Sequence, residues 1–345
     1  MVTLSRKRRC IRVDTVVSSQ VATGPRASAA GAILVLTAGA RLSSYLNATV
    51  SEIGFLRGTW MDGAQRLAWL EDYASSAVQH ADRPAPAAIG EGIRLEHVTF
   101  RYPGAERLAL DDVSLFLPAG SVVAIVGENG AGKSTLVKLL AKLYSPTDGR
   151  VLIDDTDLAR IDSARWRERL AGAFQDFFRF EFQAAGTIGI GDLPRLDDES
   201  ALVTAAERAG ARDLIDALPA GLRTQLGPSW SEGVDVSYGQ WQKLALARGF
   251  MRDEPLLVAL DEPTAALDAE TEHQLFERYA ATARKARENG SVTILVSHRF
   301  STVRMADLIV VLDGARVAEA GSHEELLARD GRYADLYRIQ AAGYS

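Results

Sequence analysis

Cysteine is almost missing from this chain of 345 residues: Cys10 stands alone, so there is no disulfide framework and no cysteine-built zinc site. A reducing compartment fits that usage. Histidine is scarce as well, and the five present show neither a His-x₃-His nor a His-Glu-x-x-His spacing. A long hydrophobic run is also lacking. The uncharged stretch from Ala27 to Ala40 would reach only about 21 Å as a helix, against a hydrocarbon core of ~30 Å. Nor is there a surplus of positive charge: 39 Lys and Arg against 45 Asp and Glu leave a net charge of −6. Nucleic acid is therefore not expected as a partner, because no basic field exists to neutralise its phosphates. What is present is ordinary globular material, 47% hydrophobic and 24% charged, in a length that suits about two domains.

The chain opens with Arg6-Lys7-Arg8-Arg9-Cys10, followed by Ile11-Arg12-Val13-Asp14, which is no apolar signal core. Residues 1–26 are expected to form a disordered basic arm. From about Ser43 to Ser76 the spacing of Ile53, Leu56, Trp60, Ala64, Leu67 and Leu70 predicts one long amphipathic helix, with Glu52, Arg57, Asp62, Arg66 and Glu71 falling between them. Arg83-Pro84-Ala85-Pro86 ends it and opens a linker over residues 81–92. Beyond it, short β-rich runs alternate with helices. Ile93 to Phe100 alternates like an edge strand. Ser121 to Val126, Val151 to Ile153, Leu256 to Leu260, Thr293 to Val296 and Leu308 to Leu312 have the length of further strands. This texture predicts an α/β domain with a mostly parallel sheet.

Two motifs carry chemistry. The strand Val122–Val126 runs into Gly127-Glu128-Asn129-Gly130-Ala131-Gly132-Lys133-Ser134-Thr135 and then a helix, which is Gly-x₄-Gly-Lys-Ser in the strand–loop–helix setting that a Walker A phosphate loop requires. Backbone N–H groups of such a loop curl around a β-phosphate at a helix N-terminus. Lys133 is expected on the β- and γ-phosphates and the Ser134 hydroxyl on Mg²⁺. The second motif is the apolar strand Leu256–Leu260, which ends in Asp261-Glu262. At the carboxyl edge of an open sheet, Asp261 suits Mg²⁺ and Glu262 suits a general base for water. Read alone, an Asp-Glu pair after a strand is a solvated cap; beside a phosphate loop it is a catalytic pair.

These residues closely resemble the nucleotide-binding domain of ATP-binding cassette (ABC) transporters, from about Ile93 onward and in the family's order of motifs. The resemblance implies a P-loop ATPase fold with a mostly parallel core sheet, an antiparallel β edge and a helical subdomain. It implies ATP and Mg²⁺ as ligands, with Gly127, Asn129, Gly130, Ala131, Gly132, Lys133, Ser134 and Thr135 around the phosphates. Tyr102, in Phe100-Arg101-Tyr102-Pro103, would stack on adenine, and Gln175, in Ala173-Phe174-Gln175-Asp176, would lie near Mg²⁺ and the coupling surface. Val236-Ser237-Tyr238-Gly239-Gln240 looks like the signature motif, placing Ser237, Gly239 and Gln240 over the ATP of a second protomer. Asp268 would belong to the dimer-facing D-loop, and His298 would sense the γ-phosphate. Each has a plainer reading alone: Tyr102 as a strand aromatic, Gln175 as a surface amide, His298 as a structural histidine, Ser237 as a helix cap. One position departs, since the family has glycine where this chain has Tyr238. The ring would either crowd the γ-phosphate or point into solvent.

By the same resemblance, residues 27–80 look like the closing portion of an exporter's membrane domain: the end of a fifth helix, a tight turn near Thr37-Ala38-Gly39, then a sixth helix. Residues 93–345 would be the ATPase. The expectation is an ATPase subunit of an ABC exporter on the cytoplasmic face of the cell membrane. Its expected partners are transmembrane permease domains and a second nucleotide-binding domain, in a homo- or heterodimer. Two alternatives stay open: a non-transport ABC ATPase of translation or DNA repair, and a nucleotide-binding module that does not hydrolyse.

Overall fold

The computed structural model describes residues 29–77, 81–174, 176–262, 290–297 and 299–343. Gln175, Asp268 and His298 lie outside the described residues. The chain divides into two compact units, residues 1–78 and 79–345.

The described residues of the first unit, 29–77, are helical. α1 (Ala29–Leu56) passes through one wide π-helical turn, Arg57–Met61, into α2 (Asp62–Ala77). Gly54 and Gly58 lie where the wide turn begins, at points of low helix propensity. The expected turn near Thr37-Ala38-Gly39 is absent, and the helix begins well before Ser43. Thr37 sits inside α1 and donates its hydroxyl to the carbonyl of Ile33 at 2.8 Å, the usual way a threonine is accommodated within a helix. Leu34, Leu36, Ile53, Trp60, Leu67 and Leu70 are all exposed. Among the described residues no helix is long and apolar enough to cross a membrane.

The second unit contains two sheets. A four-stranded antiparallel sheet has the order β2-β1-β4-β5, built from β1 (Gly92–Phe100), β2 (Leu110–Pro118), β4 (Asp148–Ile153) and β5 (Thr156–Asp157). A six-stranded sheet has the order β10-β9-β3-β8-β7-β6. Its strands are β3 (Val122–Gly127), β6 (Leu170–Ala173), β7 (Leu257–Asp261), β8 (Val292–Val296), β9 (Leu308–Asp313) and β10 (Arg316–Gly321). All its pairings are parallel except β10 with β9.

Ile93–Phe100 is not an edge strand. β1 pairs on both sides, with Leu95 opposite Leu115 of β2 and Val151 of β4. Its alternation reports one buried face, not an unpaired edge. That face joins Ile93, Leu95 and Val98 to Ile125, Leu136 and Val310 in a single core, so the antiparallel sheet packs against α3 (Lys133–Leu140) and the parallel sheet. Trp166, fully buried on α4 (Ser163–Glu168), closes this core and donates its indole N–H to the Leu140 carbonyl at 2.9 Å.

A second core gathers the helical part: α5 (Ala184–Gly189), α6 (Glu199–Arg208), α7 (Arg212–Ala217) and α8 (Tyr238–Gly249) around Ile188, Leu202, Trp241 and Leu244. Here two glycines are required by contact. A Cβ on Gly249 would lie 1.9 Å from the Gly172 carbonyl oxygen, so the end of α8 rests on the backbone of β6. Gly172 itself takes φ +145°, where a Cβ would meet the Ala259 carbonyl at 1.9 Å.

The proline-rich connector is held against the second unit along its length. Arg83 forms a parallel bridge to Ile161, and Asp82 is paired with the Arg160 guanidinium. Farther on, the Asp154 carboxylate accepts the backbone N–H groups of Gly90, Glu91 and Gly92 at 3.0, 2.7 and 3.0 Å. Burial pulls the Asp154 pKa upward, but the three N–H donors outweigh it and hold the carboxyl below its ordinary value. A lowered folded-state pKa means stability that is present above the ordinary value and lost as pH falls through the folded one. Asp154→Ala is accordingly expected to lower unfolding stability by about 1–2 kcal/mol near pH 7, partial exposure screening the effect. The gap should close below the ordinary carboxylate pKa of 3.8. Denaturant titrations at several pH values check this; an undiminished gap in acid would contradict it.

Candidate nucleotide site

The parallel strands β9, β3, β8 and β7 lie side by side, and the candidate residues collect where β3, β7 and β8 end. β3 ends at Gly127 and the chain turns through Glu128–Gly132 into α3, with Gly130 and Gly132 at φ +81° and +103°. At Gly132 a Cβ would lie 2.5 Å from the Ala109 carbonyl and 2.8 Å from the Leu110 side chain, so only glycine fits the start of this helix. The helix has no side-chain cap at Gly132. Its opening turn is thereby left to an anion.

Lys133 is buried and folds back over the loop, its Nζ donating to the carbonyls of Gly127 at 2.9 Å and Glu128 at 3.0 Å. Burial lowers its pKa, and the carboxylates of Glu262 and Asp261 oppose that change. Thr135 is buried too, and its hydroxyl lies 3.1 Å from the Tyr102 hydroxyl. The Tyr102 ring is edge-on to Phe100 at 4.9 Å and to Tyr144 at 5.2 Å. Tyr102 therefore flanks the phosphate loop rather than serving only as a strand aromatic.

Asp261 is the last residue of β7 and is 3% exposed. Burial raises its pKa, and the neighbouring Glu262 carboxylate adds to that rise; a hydrogen bond from the Ser134 hydroxyl, with Lys138 and Lys133, works against it. Its Oδ1 has no hydrogen-bond partner. A buried carboxylate with one unsatisfied oxygen beside a serine hydroxyl is a costly arrangement without a cation and suits a hard divalent one. Among the described residues no cluster of three or more His, Cys, Asp or Glu could hold a metal on its own, so phosphate oxygens would have to complete the shell.

Glu262 follows at φ +47°, a left-handed conformation that is strained for a residue with a side chain, and its N–H donates to Val296 of β8 at 3.0 Å. That bond ties the end of β7 to the end of β8. Ser297, buried just after β8, accepts the Arg299 N–H at 3.0 Å.

The signature segment sits elsewhere. Ser237 caps α8 in a reciprocal box with Gln240: its hydroxyl accepts the Gln240 N–H at 3.3 Å and its own N–H reaches Gln240 Oε1 at 2.8 Å. The Tyr238 ring is partly open to solvent, as one of its two readings has it, and it also has partners within its own chain. It packs 5.4 Å from Phe177 with the Arg179 guanidinium 5.0 Å from its centre, though nearly half of the residue is exposed. Among the described residues no hydrogen bond or ring contact joins Ser237, Tyr238 or Gly239 to the phosphate loop. Within one chain, then, the structure gathers Tyr102, the loop from Gly127 to Thr135, Asp261 and Glu262, and leaves Ser237, Gly239 and Gln240 on a separate helix.

Several side chains outside these motifs are brought together by the fold alone. Phe177, Phe178 and Arg248 border a cleft of about 400 Å³ between β6 and α8, together with Phe174 and Gly249. Arg248 lies 4.9 Å over Phe180, and burial lowers its pKa. Glu128 of the phosphate loop is ion-paired to Arg332, far along the chain. No short-range spacing announces these partners.

A glycine loop between β3 and α3, a buried lysine over it and a carboxylate pair on a neighbouring strand define a P-loop nucleotide-binding fold. Residues 110–265 match the family model described as ABC transporter. That segment is therefore an ABC transporter domain. It is 42% identical over 265 residues to an ATP-dependent lipid A-core flippase of Ralstonia nicotianae, covering 76% of this chain and 42% of that protein. It is 34% identical over 313 residues to the flippase of the same name from Pseudomonas aeruginosa, covering 91% of this chain and 50% of that protein. Among solved structures it resembles a bacterial Atm1-family ABC exporter with ATP bound, at a TM-score of 0.72 and 34% identity over 86% of this chain and 50% of that one. The chain thus spans about half the length, or less, of the relatives it matches.

Proposed function

We propose that this chain is the ATP-binding and ATP-hydrolysing part of an ABC exporter, working at the cytoplasmic face of a membrane with permease domains. The observation that carries the reading is the unsatisfied Asp261 carboxylate oxygen beside Ser134, directly under an uncapped glycine loop. The N–H groups from Gly127 to Thr135, with Asn129, Gly130, Ala131 and Lys133, would hold the phosphates, and Tyr102 would flank the base. Ser134 and Asp261, with Gln175, would hold Mg²⁺, which supplies charge neutralisation for the phosphates when bound. Glu262 accepts a proton from water at its carboxylate; its left-handed backbone is the kind of strain found at functional sites. His298 is assigned to the γ-phosphate and Asp268 to the partner interface. Residues 27–80 would be the end of the permease portion, and the cleft lined by Phe177 and Phe178 would receive a permease segment.

Ser237 and Gly239 are separate from the phosphate loop of their own chain, so their contribution must come from a second nucleotide-binding domain. A monomer would leave the γ-phosphate without that second set of donors. Hydrolysis is therefore expected to rise faster than linearly with protein concentration while association is weak. A dilution series at saturating Mg-ATP, read alongside light scattering, tests this. Constant specific activity from a species that remains monomeric would overturn the split site.

A further inference from the structure

The helix Arg332–Gly343 near the C-terminus touches two loops of the nucleotide site. Its first residue, Arg332, pairs its guanidinium with the Glu128 carboxylate in the phosphate loop and lies 3.7 Å from Asp313 at the end of β9. The start of the helix is pinned: the Glu319 carboxylate accepts the N–H groups of Arg332 and Tyr333 at 2.9 and 3.0 Å. Tyr333 is fully buried, with its hydroxyl 2.7 Å from His323 Nδ1. One face of the helix then meets Phe300, which follows β8: the Phe300 ring is 5.2 Å from Tyr333 and 5.3 Å from Tyr337, and its N–H donates to Gln340 Oε1 at 3.0 Å. One pinned helix is thus bonded to the loop after β3 and to the segment after β8.

We propose that this helix braces the nucleotide site and that Arg332 is a positioning residue for the phosphate loop, restraining Glu128 and neutralising its charge where the phosphates of a nucleotide would enter. This rests on the ATP-binding reading above. Glu128 is largely exposed, so its side chain is held by the pair and not by burial. Unpaired, it would put a negative charge at the mouth of an anion site. A unit charge at ~10 Å in water shifts an equilibrium about twofold, and a magnesium nucleotide carries about two net negative charges. Glu128 is not a residue that would be expected to help bind an anion; its partner Arg332 is what makes it tolerable there.

The test is ATP binding by calorimetry with the full chain. Arg332→Gln should weaken binding about three- to tenfold, with a deficit that shrinks as salt is raised. Adding Glu128→Gln to it should restore affinity to within about twofold of the wild type, which a purely structural loss would not do. Glu128→Gln alone leaves the Arg332 charge uncompensated and should bind about two- to fivefold more tightly, a result that does not require Arg332→Gln to fold. Unchanged binding in Arg332→Gln, no restoration in the double variant, or weaker binding in Glu128→Gln would overturn the proposal. Hydrogen exchange on the nucleotide-free protein reads the brace independently of ATP: amides from Gly127 to Gly132 should exchange faster in Arg332→Gln. A wild type that binds no ATP but shows this change would sink the ATP reading alone, whereas unchanged exchange would sink the brace.

Discussion

Glu262→Gln should leave ATP binding intact and lower turnover by about 10²–10⁴-fold, the usual contribution of a general base. The amide is nearly the shape of the carboxylate, so the left-handed backbone at φ +47° and the bond to Val296 are kept while the proposed proton acceptor is removed. Glutamine also takes away one of the negative charges next to Asp261 and Lys133. Binding should therefore hold or improve, and an ATP-bound dimer should accumulate because the step that ends it is blocked. The measurement is steady-state phosphate release beside gel filtration with ATP. Turnover equal to wild type would remove Glu262 from the role and return the question to which group activates the water.

The second large effect is expected at Lys133. Its ammonium donates to the Gly127 and Glu128 carbonyls, so the charge lies over the loop that would hold phosphate. Burial disfavours that charge, and Glu262 and Asp261 only partly offset the cost. A cation kept in an unfavourable place, with compensation from the two neighbouring carboxylates, is poised to gain when an anion arrives. A hydrogen bond to a charged group is worth about 1.5–3 kcal/mol, so Lys133→Ala should weaken ATP binding by about 10–150-fold. Lys133→Met keeps the apolar stem and should show a similar loss, which separates charge from packing. A fluorescence titration measures both; affinity within twofold of wild type in both variants would contradict the phosphate role. Thermal unfolding without nucleotide should move far less than binding does.

The phosphate loop, the Asp261-Glu262 pair and the alternation of strands with helices were legible in the sequence, because each is local. A glycine at a fixed offset from a lysine, a run of apolar residues ending in acids and a period of two or three and a half depend on residues within one turn or one strand of each other. The aromatic Tyr102 was legible only through the family pattern, and the contacts of its ring with Phe100 and Tyr144 were not. Ile93–Phe100 shows why. Period-two burial tells which face of a strand is dry, but the number of its neighbours depends on where β2 and β4 return, and that is set by chain segments on either side. The turn expected at Thr37–Gly39 failed for a related reason: Thr-Ala-Gly is compatible with a turn, yet the threonine hydroxyl can return to the Ile33 carbonyl and the helix continues.

By itself, then, the sequence determined the phosphate-loop motif and the α/β class of the second unit, since glycine placement and hydrophobic period are conformational requirements written into neighbouring residues. Tertiary structure alone decided how the site is held and shared. It put Tyr238 on Phe177 and Arg179, laid the end of α8 on Gly172, left Ser237 away from the phosphate loop and brought Arg332 to Glu128 across 204 positions. Contacts between residues so far apart carry no periodic signature, because the entropy of closing the intervening chain is offset only by the packing of the whole domain and not by anything in the residues near either end.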